Sequence, residues 1–156
     1  MQGTLFGRKR ATRFALVRRA LAASALLAAI ACEGEPTGPD LREVEFVSWL
    51  EVDLSTFTEH PSGIFYKDVL VGQGAAAANG SQVDIGVQGW LPDGFEVQNY
   101  WTPTNIRVGS GHVIQGLDLA LVGMRAGGER KVVVPPHLAH EQDLVMVFRL
   151  QVMAVR

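Results

Sequence analysis

The chain of 156 residues is long enough for one domain, and with 47% hydrophobic and 19% charged residues it is composed like a globular chain with a core. Its net charge of −2 hides an asymmetry: residues 1–32 hold six basic side chains and no acid, whereas residues 33–156 hold 8 basic and 16 acidic ones, a balance of −8. An acidic body excludes nucleic acid as an expected partner, because a phosphate backbone calls for a basic face.

The basic residues open a leader. Arg18-Arg19 precede the 12-residue apolar run Ala20–Ala31, and Cys32 follows. A basic start, a short apolar stretch and small residues before a cut site predict a secretory signal over residues 1–32. The run is too short for a membrane-spanning helix, which needs about 20 apolar residues. Ala29-Ile30-Ala31-Cys32 resembles a bacterial lipobox, so Cys32 is the expected lipidation site; plain signal-peptidase cleavage is the alternative. Cys32 is the only cysteine, so no disulfide is expected and the domain must be stabilised by its core.

Residues 33–61 read as a tether and an N-terminal segment. Glu33–Asp40 is acidic and rich in Gly and Pro, as flexible linkers are. Val44, Phe46, Trp49, Leu50, Val52 and Leu54 are too apolar for a free linker, so residues 41–60 are expected to pack on the domain edge or form a short helix. His60-Pro61-Ser62-Gly63 breaks any helix.

The rest, residues 62–156, alternates strands and turns. Strands are expected at Ile64–Val71, Gln82–Leu91, from Phe95 onward after the Pro92-Asp93-Gly94 turn, at Thr104–Val108, at Glu129–Val134 before Pro135-Pro136, and at Leu144–Val155. One short helix interrupts them. Val113, Leu117, Ala120, Leu121 and Met124 share one helical face, with Gly109 and Gly111 before them and Gly127-Gly128 after. The pattern predicts an α+β fold: a curved antiparallel sheet of five to six strands wrapped around one short α-helix.

Five segments in order carry a family resemblance: Ser62–Val69, Gly89-Trp90-Leu91-Pro92-Asp93-Gly94, Val108–Leu117, Gly123–Arg130 and Val134–Ala139. From about Ser62 to Val155 the chain resembles the FKBP-type peptidyl-prolyl cis-trans isomerases in their bacterial exported form. The resemblance implies a shallow apolar pocket between sheet and helix that takes proline-containing polypeptide segments. It implies that Ile114 supplies a backbone N–H to the substrate, with Val113, Leu117 and Phe148 lining the site. Val87, Val97, Gln98 and His140 fall at substrate-binding positions where the family has Tyr, Phe-Asp and Tyr, and only Glu141-Gln142-Asp143 stand where the family has a longer loop.

The expected function is therefore an isomerase that assists folding of exported proteins, anchored by lipid in the cell envelope or periplasm. No cofactor or metal is implied, and a monomer is expected. The alternative is a catalytically weak or inactive peptide-binding lipoprotein that keeps the fold; a purely structural envelope lipoprotein is a third reading. From residue type alone, Val113, Ile114, Leu117 and Phe148 are better explained as core, and the resemblance brings the two readings close to even. His137 and His140 beside Glu141 do not form a convincing metal set, and Gly109-Ser110-Gly111 lacks the Lys-Ser/Thr of a phosphate loop.

Overall fold

The computed structural model describes residues 39–139 and 144–156. The expected leader and Cys32 lie outside the described residues, as do His140 and residues 141–143.

Seven strands form one antiparallel sheet: β1 (Thr58–Glu59), β2 (Phe65–Leu70), β3 (Gln82–Trp90), β4 (Glu96–Trp101), β5 (Ile106–Arg107), β6 (Glu129–Val134) and β7 (Met146–Val155). The spatial order is β1-β2-β6-β7-β3-β4, with β5 alongside β3. Among the described residues the one α-helix is α1 (Gln115–Leu121). The strand that the sequence pattern did not announce is β1. Its two residues pair with Tyr66 and Phe65 across the Pro61-Ser62-Gly63 turn, too short a run to show a period.

The central strands follow the alternation of their side chains. Val83, Ile85 and Val87 on β3, Val132 and Val134 on β6, and Phe148, Leu150 and Val152 on β7 form one core with Leu117, Ala120, Leu121 and Met124 from the helix region. Helix and sheet approach closely at Gly116, where a Cβ would run into Val134. The helix is shorter than the apolar stripe suggests. Ile114 is its N-cap in an extended conformation (φ −57°, ψ 150°), so Val113 precedes the helix. Val122 returns to extended backbone, and Gly123 at φ +81° then turns the chain.

Residues on the other face of the sheet are also covered. Phe65, Val133 and Val147 point away from α1 and pack with Leu41, Leu50 and Val145 in a second buried cluster. The cover is the segment 39–57, three short 3-10 turns at Leu41–Glu43, Ser48–Leu50 and Leu54–Thr56 joined by extended chain. We call it the strap. The apolar residues singled out at 41–60 thus lie across a face of the sheet, since three separate turns let them reach it without a helical period.

Candidate functional site

The start of α1 is built by the turn that precedes it. Gly109 and Gly111 both have positive φ (+78° and +75°) and present their N–H groups to one carboxylate. Asp118, in the first turn of α1 and buried, accepts from Gly109 N–H at 3.1 Å and from Gly111 N–H at 2.9 Å. This carboxylate folds the Gly-rich turn against the helix and fixes the chain entering Val113 and Ile114. The far end is held by Arg130 on β6. Its guanidinium donates to the carbonyls of Ala120 (2.8 Å) and Val122 (3.3 Å), forks onto Asp68 of β2 at 2.6 and 3.1 Å, and stacks 4.3 Å from the Tyr66 ring. The last turn of a helix leaves carbonyls without intrahelical partners, and a cation there is favoured by the helix dipole.

Between the start of α1 and the sheet lies a groove of about 440 Å³. Val113 and Ile114 form its helix side, Leu117 and Phe148 its floor, and Val87, Val97 and Gln98 its sheet side. Seven of the eight pocket residues expected from the sequence are therefore neighbours in space; the eighth, His140, lies outside the described residues. Trp101, His112, Leu144 and Met146 complete the lining and were not among those expected. Met146 was within reach of a period-2 argument, being two residues before Phe148 on β7. Trp101 was not. It faces Val87 only because the β3–β4 register shifts twice, between Val87 and Gly89 and between Gly89 and Trp90.

The groove is mainly apolar, with two polar side chains on its edge. The amide nitrogen of Gln98 is turned back to donate to Asn99 C=O at 2.9 Å. His112 Nδ1 accepts from Arg107 N–H at 3.3 Å, which leaves the ring proton on Nε2 in the neutral form. Phe148 owes its place to Gly89: a Cβ at Gly89 would sit 2.6 Å from Cε1 of that ring. Ile114 C=O accepts from Leu117 and Asp118 N–H, while among the described residues no acceptor engages Ile114 N–H. Nor do the described residues hold a cluster of three or more His, Cys, Asp or Glu side chains placed to bind a metal. A larger hollow of about 630 Å³ lies on the other face of the sheet, under the strap, and no residue of α1 lines it.

Residues 73–146 match the family model described as FKBP-type peptidyl-prolyl cis-trans isomerase. These residues are thus similar to an FKBP-type domain. It is 38% identical over 104 residues to the chloroplastic peptidyl-prolyl cis-trans isomerase FKBP16-4 of Arabidopsis thaliana, a match covering 55% of this chain and 42% of that protein. It is 39% identical over 85 residues to FK506-binding protein 4 of Rhizopus delemar, covering 53% of this chain and 22% of that one. This chain thus spans less than half the length of these two curated relatives. The FKBP-type fold is equally clear among solved structures. AtFKBP13 superposes with a TM-score of 0.56 at 25% identity, over 64% of this chain and 98% of that one. FkpA from Escherichia coli superposes with a TM-score of 0.58 at 24% identity, over 70% of this chain and 56% of that one.

Proposed function

We propose that the groove at the start of α1 binds Xaa-Pro segments and accelerates their cis-trans isomerisation. The observation that carries this reading is the convergence of Val87, Val97, Gln98, Val113, Ile114, Leu117 and Phe148, distant in sequence, on one groove in a domain similar to the FKBP type. The reaction asks little of side-chain chemistry. Rotation about the peptide bond has a barrier of about 18–20 kcal/mol, set by amide resonance. Twisting the bond removes that resonance and weakens the dipole, so a site that excludes water favours the twisted amide over the planar one. Leu117, Phe148, Val87 and Val113 supply the apolar walls. Ile114 N–H holds the carbonyl beside the proline, and Gln98 contributes at the rim.

The substrates are proline-containing segments of exported proteins, and the working form is a monomer tethered to the cell envelope by lipid on Cys32. This part rests on the leader and its lipobox-like end. A second reading, a peptide-binding module with slow or no turnover, is favoured by Val87, Val97 and Gln98 standing where the family has Tyr and Phe-Asp.

An exchange assay on a short proline-containing peptide decides between them. Faster cis-trans exchange at micromolar protein is expected. Binding without faster exchange would favour the second reading, and neither, with the fold intact, would remove both. For the anchor, Cys32→Ser is expected to move the protein out of the membrane fraction; an unchanged distribution would count against lipidation.

A further inference from the structure

One side of the groove is a strand held from a single edge. In the sheet order β4 ends the row beside β3, its register there shifts twice, and most of its length is exposed. It nevertheless carries Val97, Gln98 and Trp101 into the groove. Besides the β3–β4 ladder, Glu96 accepts from Gln88 and Tyr100 donates to Gln151, and a further hold acts at the turn that leads into the strand.

The hairpin turn that leads into β4 is gripped by the strap. Val47 N–H donates to Pro92 C=O at 2.9 Å. Trp49 meets Trp90 edge to face, with centroids 5.9 Å apart and planes at 86°. Its indole also lies over Gly94, where a Cβ would be 2.8 Å from Cζ2, and Gly94 has φ +90°. The next residue anchors the strap to the sheet: Leu50 is buried with Val133 and Val147, and the Lys131 ammonium donates to Leu50 C=O at 2.6 Å. The strap is therefore fixed on β6 and β7 and reaches across to the β3–β4 turn. Trp49 itself is 57% exposed and outside the buried cluster. So much exposed indole adds little to the core; what it does contact is the hairpin.

We propose that the strap sets the position of the β4 wall of the groove, and that Trp49 is the positioning residue that links them. It acts from the face of the sheet opposite α1 and does not touch the groove. Loss of the contact loosens β4 and the Val97, Gln98 and Trp101 side, and leaves the Val113-Ile114 side as it was. Substrate hold should therefore suffer more than turnover. The activity part rests on the isomerase reading above; the coupling of strap to β4 does not.

The test uses the full chain with Trp49→Ala and Trp49→Phe, and reads amide hydrogen exchange together with KM and kcat on a proline-containing peptide. Trp49→Ala is expected to speed exchange of the β4 amides bonded to β3 by roughly two- to twelvefold, the worth of one edge-to-face aromatic contact, while β6 and β7 amides keep their rates. KM is expected to rise by a similar factor with kcat nearly unchanged, and Trp49→Phe to restore most of both. Unchanged β4 exchange, or an equal increase in every strand, would overturn the proposal, as would a fall in kcat at constant KM. If the unmodified protein gives no turnover, the isomerase reading fails by itself, and the exchange pattern still decides the fate of the strap proposal.

Discussion

Gly89 shows how much of the groove depends on single atoms. It pairs with Phe148 on β7 and with Gln98 on β4, and the Phe148 ring occupies the space a side chain would take. Gly89→Ala forces the ring to move, since its backbone neighbours are held by two ladders. Overpacking of this kind costs about 1–3 kcal/mol. A thermal melt is expected to show that loss, and peptide binding is expected to weaken with it; a variant with native stability and binding would mean that Phe148 does not form the floor. At this scale the sequence singled out Val113, Ile114 and Phe148, where residue type and motif position coincide, and Leu117, where Leu stands in place of the family's Trp; all four line the groove. It was silent about Trp101, because two register shifts in the β3–β4 pair decide which side chain stands opposite Val87.

Among the elements, β3 was legible from the alternation of apolar and polar side chains over its first half, β6 from three valines stopped by Pro135-Pro136, and β7 from its length and its Val, Phe and Leu content. Helix α1 was legible in existence and face but not in extent, since Val113 and Met124 join the same apolar cluster from outside the helix. A polar tie that periodicity does not reveal links the start of β3 to the end of the chain. Asp84 accepts from the Arg156 guanidinium at 3.0 Å and from Asn105 N–H at 2.9 Å. The Arg156 hydrogen bond first, and the Asn105 N–H second, hold its carboxyl below the usual carboxylate range. A depressed folded-state pKa contributes stability that is fully present above the unfolded value, about 3.9, and is lost as pH falls through the folded value. Melting temperatures of the unmodified protein and Asp84→Asn are therefore expected to differ near pH 7 and to converge as pH falls through the depressed Asp84 value into the acid range below it. A gap that persists unchanged into that acid range would assign the effect of Asp84 to something other than its charge.

For the molecule as a whole, two faces of one sheet are covered by different means. The α1 face has a helix and a groove, while the other face has the strap. Val133 and Val147 are almost completely buried there, although strand alternation sends them away from the α1 core. The apolar residues at 41–60 signalled that this segment was no free linker. Their destination was hidden, because three isolated 3-10 turns carry neither the strand nor the helix period. A shortened chain beginning at Thr58 is expected to expose Phe65, Val133 and Val147, to bind an apolar dye, and to associate at concentrations where the full chain does not. A shortened chain that stays monomeric and dye-free would show that the strap is dispensable as a cover.

The central claim is that the backbone at the start of α1 works on a prolyl bond, and a pair of substitutions at Ile114 tests it most directly. Ile114 has φ −57°, which proline adopts without strain, so Ile114→Pro removes the N–H and the side chain, whereas Ile114→Ala removes the side chain alone. Measured as kcat/KM for prolyl exchange in a short peptide, with the fold checked for both, Ile114→Pro is expected to fall below Ile114→Ala by roughly three- to tenfold, the worth of one hydrogen bond. Equal values for the two variants, or no acceleration by the unmodified folded protein, would contradict it.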